Sequence, residues 1–423
     1  MSVPDIPGTR VPEGQQLMFL RDHVRELCQL KTIKFPGAQP ISFNKQSLDT
    51  LLKEDFWVCE KSDGQRVLVL IVVPPATGQQ EVFLIDRKNN YYQVHNLSFP
   101  HHNPSSPEAV AFAGKRTNTL VDGELVIDTI SPEQTKLRLL LFDCLVIDGE
   151  NVTHKPFGRR YARLNSHLYP PYKSYTTKNS MAQVLAPFEV KVKRMDLAYG
   201  IEKVLLDGQK YLQHKSDGLI FTSFPSGYTC GTDPKILKWK PPQDNTIDFK
   251  IELRFPPDLE DDPSGATPDY CAKPFIKLLQ HSHGHHHELF DYLEMDDEEW
   301  ERWKQSGEQL DDRIVECSWR PREDGSERFE WHIFRIRDDK QYANHKSTVK
   351  RILESIKDGV QEQELIDLAP AIRAAWKTPE REKFRQRINQ SRSKGKNSCP
   401  FIRGGGGPGP PMRRGGMPGI NRR

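Results

Sequence analysis

From Phe56 to about Lys240 the sequence is dominated by short strand-type runs, and this stretch fixes most of what the chain can fold into. Residues 67–73 are unbroken apolar and end at Pro74-Pro75. Residues 81–86 and 91–94 flank Arg87-Lys88-Asn89-Asn90, the pattern of a hairpin. Residues 119–127 alternate around Asp122-Gly123-Glu124, and 137–147 form a long apolar strand ending at Asp148-Gly149. Helical stretches start near Phe157 and cover 200–212; strands at 218–222 and 236–240 follow before Pro241-Pro242 stops the pattern, a candidate domain boundary. Ahead of this region, residues 1–15 read as a loose arm rich in proline and glycine. Residues 16–30 carry Leu17, Phe19, Leu20, Val24 and Leu27 at helical spacing, residues 34–43 read as a loop with prolines, and Ser47 caps a short helix through Leu52.

A second β segment opens at 247–255. An insertion-like stretch follows it: acidic residues 258–262, the cluster His281, His283, His285, His286 and His287, and the acidic, helix-prone residues 291–310. Strands return at 313–319 and 328–337 around Glu323-Asp324-Gly325, a hairpin turn. Several short strands with one embedded helix fit a small barrel of the OB type. Residues 347–356 and 361–376 read as helices. Beyond Glu382 there is no acidic residue to the end at Arg423, while Arg, Lys, Gly and Pro dominate, so a disordered tail is expected.

Net charge is +3, so the whole-molecule field says little about nucleic acid. Seven scattered cysteines with no paired spacing argue for reduced thiols, against a disulfide scaffold and against a zinc ribbon. No charged-then-apolar leader opens the sequence and no apolar run reaches the roughly 18 residues of a membrane span, so a soluble intracellular chain with no membrane partner is expected.

Chemistry concentrates at a few places. Lys61, in Lys61-Ser62-Asp63-Gly64, stands at the end of a strand-like run with Arg66 nearby. A lysine amine is a weak nucleophile at neutral pH because it is almost wholly protonated; burial or a neighbouring cation releases the lone pair. On this tetrapeptide alone the alternative is a hairpin tip with a solvated lysine. Glu124 and Asp217 belong to Asp-Gly pairs embedded in apolar strands, which suits carboxylates held at a buried site. Lys238 and Lys240 project to one face of a strand and suit phosphate binding; the alternative is an edge strand kept from pairing by lysines. Arg335, Arg337 and Asp339 alternate to one side of another strand, a pattern for an anionic leaving group.

Seven segments in order resemble the covalent nucleotidyltransferases, the mRNA capping guanylyltransferases and ATP-dependent polynucleotide ligases. They are Lys61-Ser62-Asp63-Gly64, Ile85-Asp86-Arg87, Asp122-Gly123-Glu124, Leu141-Phe142-Asp143, Ser216-Asp217-Gly218, Leu237-Lys238-Trp239-Lys240 and Arg335-Ile336-Arg337-Asp338-Asp339-Lys340. Phe35-Pro36-Gly37-Ala38-Gln39-Pro40 and the stretch through Lys191-Val192-Lys193-Arg194 look like the capping enzymes, as does the Asp-Asp-Lys ending. The start some 60 residues before Lys61 resembles the fungal type without a fused triphosphatase. The resemblance implies an α+β fold: a nucleotidyltransferase domain (ATP-grasp-like, antiparallel sheets) over 1–243 and an OB-fold barrel over 244–345 with the acidic, His-rich insertion, then helices over 346–385 and the tail over 386–423.

It further implies that Lys61 attacks the α-phosphorus of GTP to give a lysyl-N-GMP, which then passes to the 5′-diphosphate end of nascent mRNA. By the same resemblance Arg66 and Glu124 contact the ribose, Phe142 stacks on guanine, and Lys193 donates to its exocyclic oxygen. Arg87 lies near the triphosphate or ribose, and Lys238 and Lys240 grip the α-phosphate. Glu124 and Asp217 help hold a divalent metal, Mg²⁺ or Mn²⁺. Arg335, Arg337, Asp339 and Lys340 align the β- and γ-phosphates from the barrel, so the cleft closes and opens. An RNA triphosphatase subunit, the phosphorylated C-terminal domain of RNA polymerase II and a nuclear location are the implied partners and place.

An ATP-dependent ligase uses the same chemistry, and an inactive RNA- or polymerase-binding scaffold is a third possibility, opposed by the presence of Lys61 and the barrel arginines. The histidine cluster matches no standard metal spacing and is read as an exposed loop. The Arg/Gly tail is either an RNA or phosphopeptide contact or merely solubilising. Cys28 is not followed by an arginine at phosphatase spacing, and no glycine-rich strand–helix turn suggests a methyl-donor site.

Overall fold

The computed structural model describes residues 4–259, 262–321 and 329–390. The expected turn at Glu323-Asp324-Gly325 and residues 391–423 of the expected tail lie outside them. Along the chain come β1 (Thr9–Arg10), α1 (Gln15–Leu27), β2 (Ala38–Ser42), α2 (Lys45–Lys53), β3 (Phe56–Ser62), β4 (Gln65–Val72), β5 (Glu81–Ile85) and β6 (Tyr91–Val94). After α3 (Pro107–Ala111) follow the long strands β7 (Thr119–Ser131) and β8 (Gln134–Ile147), then β9 (Glu150–Asn151). Helices α4 (Phe157–Arg163), α5 (Tyr169–Lys178) and α6 (Ser180–Leu185) lead to β10 (Glu189–Val192) and β11 (Asp196–Leu197), then α7 (Ile201–Tyr211), β12 (Ser216–Ser223) and β13 (Gly231–Trp239).

These strands sort into two sheets. The first has eight strands, ordered β1-β6-β5-β4-β7-β8-β10 with β9 on β8; the second has five, ordered β11-β3-β12-β13-β2. Among the described residues of these sheets, only β10 on β8 and β2 on β13 run parallel. The unbroken apolar run of β4 follows from its central place. Val67, Val69 and Ile71 enter one core, while Leu68, Leu70 and Val72 enter another beneath α1. A strand buried on both faces has no polar side to show.

Lys61-Ser62-Asp63-Gly64 is not a hairpin tip, because β3 belongs to the second sheet and β4 to the first. The four residues cross from one sheet to the other and put Lys61 at their seam. Gly64 is required there: a Cβ would lie 2.3 Å from the Leu125 carbonyl oxygen. Gly218 has φ +144°, and a Cβ would lie 2.0 Å from the Trp239 carbonyl oxygen. The pairing of β12 with β3 shifts register between Ser216 and Leu219, a bulge of the kind that re-aims a side chain next to a site.

Four local expectations are corrected. Residues 9–10 of the supposed arm pair with β6, and Val11 is buried behind them. Residues 38–42 of the supposed loop are β2, and Pro40 is tolerated because β2 is an edge strand. Asn44, not Ser47, is the N-cap of α2; Ser47 returns a bond to it as the second half of a capping box. Lys238 lies on a strand flanked on both sides, so it does not guard an edge.

The remaining strands form a third sheet: β14 (Thr246–Arg254), β15 (Phe275–His283), β16 (His286–Leu293), β17 (Ile314–Pro321) and β18 (Phe329–Ile336), with α8 (Asp297–Ser306) between β16 and β17. The order β16-β15-β14-β17-β18 is antiparallel throughout. Among the described residues β16 and β18 share no ladder, so the barrel is not closed by backbone bonds. Side chains meet instead: Phe290 and Trp331 lie 5.9 Å apart, and Trp331 Nε1 donates to Asp291 at 3.1 Å. The histidine-rich segment is therefore not an inserted loop but the β15–β16 hairpin. Its histidines hid the strand alternation.

Helices α9 (Lys346–Lys357) and α10 (Glu362–Trp376) follow. Leu365 and Ile372 of α10 return to the core of the second sheet, and Trp239 Nε1 donates to the Val360 carbonyl at 2.8 Å. Residues to Thr378 form one compact unit. A second unit begins at Pro379 with α11 (Pro379–Gln390), so residues 386–390, expected in the disordered tail, are helical.

Candidate active site

A cleft of about 470 Å³ opens between the two sheets. Lys61, Arg66, Arg87, Lys193, Lys238 and Lys240 line it, against Asp63, Asp122, Glu124 and Asp143. Asp122 is committed to Arg66 and Asp143 to Arg160. The cleft thus carries a surplus of positive charge suited to a polyanion.

Lys61 Nζ lies 2.5 Å from Asp217 Oδ1, and Lys240 pairs with the other oxygen of the same carboxylate. Burial alone would raise the Asp217 carboxyl, but Lys61 and then Lys240 outweigh it and hold the group below its ordinary value. Lys238, opposite Ile220 in the ladder, lies in the same wall. Its ammonium is pushed down first by burial and then by Lys240 and Lys61.

Behind Lys61 is a buried polar group around Lys193, and its members Glu60, His214 and Asp128 were not singled out from the sequence. Lys193, 4% exposed, donates to Ser62 Oγ at 2.7 Å and lies 3.4 Å from Glu60 and 3.9 Å from Glu124. Its burial disfavours the charge, yet Glu60 and Glu124 more than restore it, so the ammonium is held above its usual value. His214 reaches Asp128 at 2.9 Å and Ser62 at 3.3 Å. Glu124 is raised, because burial outweighs Lys193, Lys61, Arg66 and Arg87.

Arg66 donates to both oxygens of the fully buried Asp122, at 3.0 and 2.5 Å, and also to the Ala38 carbonyl. Tyr228 donates to Asp122 at 2.6 Å. The Arg66 guanidinium stands 5.7 Å from the Phe142 ring centroid, leaving an aromatic wall on the cleft. Arg87, just beyond β5, is lowered by burial and then by Arg66. Asp122 was within reach of the sequence, since period-two alternation puts it beside Glu124. Tyr228 carried no signal.

The barrel residues are not gathered at this cleft; none of Arg335, Arg337, Asp339 and Lys340 lines it. Arg335 donates to Glu316 at 2.7 Å; Arg337 forks onto Asp339 at 2.8 Å twice and reaches Asp248 at 3.0 Å; Lys340 pairs with Asp248. With Glu316 and Asp248 they form a separate cluster in which each cation is paired with a carboxylate, and Arg335 is 58% exposed.

An amine at the mouth of a cationic cleft, beside an aromatic wall, can take a nucleotide and attack its phosphorus. The family model described as mRNA capping enzyme, catalytic domain, matches residues 1–242, and that described as mRNA capping enzyme, C-terminal domain, matches residues 244–366. A Neurospora crassa relative named mRNA-capping enzyme subunit alpha is 39% identical over 386 residues, covering 88% of this chain and 93% of that protein. The Saccharomyces cerevisiae protein of the same name is 37% identical over 408 residues, covering 88% and 87%. Among solved structures, a mycobacterial DNA ligase D is similar at a TM-score of 0.36 and 14% identity, covering 72% of this chain and 95% of that one, too slight a likeness to say more. The chain therefore belongs to the mRNA capping enzyme family, and it is an mRNA guanylyltransferase whose substrate is GTP.

Proposed function

We propose that Lys61 is the residue that carries GMP. The carrying observation is the 2.5 Å contact between its ammonium and Asp217 in a cleft with surplus positive charge. Lys61 Nζ first releases a proton to solvent. Its lone pair then forms a bond to the α-phosphorus as the bond to the β-phosphate oxygen breaks, pyrophosphate leaves with that electron pair, and a second amine proton passes to solvent to give the phosphoramidate. The GMP then passes to an RNA 5′-diphosphate. Covalent storage divides one transfer into two displacements.

In this scheme Lys238 and Lys240 hold the α-phosphate and Arg87 the neighbouring phosphate or ribose. Arg66 and Glu124 face the ribose, Phe142 stacks on guanine, and Lys193 donates to its oxygen. Glu124 fits a divalent ion, Mg²⁺ or Mn²⁺: its carboxylate is held above the ordinary range by burial, and a cation offsets that cost. Asp217 would join it once its lysines turn to the nucleotide. Such an ion, when bound, supplies charge neutralisation at the phosphates. Arg335, Arg337, Asp339 and Lys340 of the barrel orient the β- and γ-phosphates when the cleft closes.

The division at 243/244, with helices from 346, is proposed as the hinge that permits this closure. Relatives are named subunit alpha, and a companion subunit with RNA triphosphatase activity, the phosphorylated tail of RNA polymerase II and a nuclear location are proposed on the same footing. The scheme is tested by incubating wild type and Lys61→Ala with labelled GTP and metal. An acid-labile, alkali-stable GMP adduct that is lost in Lys61→Ala supports it; an adduct that survives the substitution overturns it.

A further inference from the structure

The connection between β6 and β7 carries His101 and His102, and the turn after β8 carries Asp148. None of the three lines the nucleotide cleft. One ligand-type atom from each lies within 4.8 Å of the others. His101 Nε2 is 3.2 Å from Asp148 Oδ2, and His102 Nδ1 is 3.7 Å from the same oxygen.

The surroundings prepare these atoms for a cation. His101 Nδ1 lies 2.8 Å from the Asn103 carbonyl and 3.1 Å from the Asn103 N–H, so it faces its own loop backbone while Nε2 faces the carboxylate. In the tautomer whose Nδ1–H donates to that carbonyl, Nε2 has a lone pair for a cation, the arrangement in which a backbone carbonyl fixes a metal-bound imidazole. Arg116, fully buried, donates to Asp148 Oδ2 at 2.6 Å and orients the carboxylate. The other oxygen, Oδ1, is buried with no hydrogen-bond partner among the described residues. Asp148 has φ 50°, and its N–H is held by Thr119 Oγ1 at 2.9 Å. His167, whose ring packs 4.2 Å from His102, does not complete the set, because its Nε2 faces Arg163 at 3.1 Å.

We propose that His101, His102 and Asp148 bind one divalent cation of the zinc class, pinning the β6–β7 connection to the β8–β9 turn. Two imidazoles and a carboxylate, with water completing a tetrahedral shell, favour zinc over magnesium or calcium.

The test is titration of the metal-depleted full chain with Co²⁺, following the visible absorption of a tetrahedral nitrogen/oxygen site, with Zn²⁺ as competitor. His102 is 32% exposed at its side chain, so His102→Asn is expected to fold, checked by an unchanged metal-free melting midpoint. Wild type and the cleft variant Glu124→Gln should each show one equivalent of tetrahedral Co²⁺ that zinc displaces, and melt higher with zinc. His102→Asn and His101→Gln should lose both effects. Three results would overturn the proposal: no tetrahedral Co²⁺ absorption, equal binding by the histidine variants, or a thiolate absorption that assigns the ion to cysteines.

Discussion

Lys61 and Asp217 are 156 residues apart in sequence, yet their side chains meet at 2.5 Å because β3 and β12 are ladder neighbours with a bulge beside Gly218. Asp217 also holds Lys240, so one carboxylate organises two cations of the cleft. Asp217→Asn is expected to slow GMP-adduct formation about 10²–10³-fold in single-turnover measurements, the range for losing one preorganised electrostatic group. The variant should remain folded, because the side chain is 27% exposed rather than deep in a core.

Glu124 makes the opposite demand on stability. Its carboxyl is held above the ordinary value, so the folded state takes up its proton more tightly than the unfolded chain does. That contribution is fully present below the unfolded pKa of about 4.3 and is lost as pH rises through the folded value. Glu124→Gln should therefore unfold at higher urea than wild type at neutral pH, with the advantage fading as pH falls toward 4.3, the unfolded value. Adduct formation should be lost at every pH.

Asp122 and Arg66 form a pair with side-chain exposures of 0% and 10%. Asp122→Asn leaves a buried guanidinium without its counter-charge and should cost about 3–5 kcal/mol in urea unfolding. Tyr228→Phe removes the hydrogen bond to the same carboxylate and the acceptor of the buried Ala38 N–H, but leaves the ion pair, and should cost less, about 1–3 kcal/mol. Equal costs for the two would show that charge is not what matters at this pair.

How much of this was legible in the residues depends on locality. β4 announced itself because both its faces are buried, and Lys61, Glu124, Asp217 and Lys238 because short motifs carry them. β2 hid behind Pro40, which is harmless only on an edge that tertiary pairing defines. The β15–β16 hairpin hid behind histidines that do not alternate with apolar residues. Tyr228 reaches Asp122 across 106 positions, and no local pattern encodes such a meeting. The crossing of Asp63-Gly64 between sheets is likewise a property of topology, since an Asp-Gly pair serves a hairpin equally well.

The barrel cluster should matter to one step more than the other. Arg337→Ala is expected to lower adduct formation from GTP by about 10²-fold or more, the scale for a lost clamp on a transferring phosphoryl group. Transfer from a preformed adduct to RNA, which involves no β- or γ-phosphate of GTP, should change far less. Rapid-quench measurement of both steps checks the difference; equal losses would mean the barrel does not read the GTP phosphates.

The most direct measurement is the location of the nucleotide itself. The chain is incubated with GTP and metal, digested under alkaline conditions, and the modified peptide sequenced by mass spectrometry, with Lys61→Arg in parallel. A single GMP on Lys61, and an unmodified but normally folded Lys61→Arg chain, is the expected result. A GMP on Lys193, Lys238 or Lys240, or an adduct that survives Lys61→Arg, would contradict it.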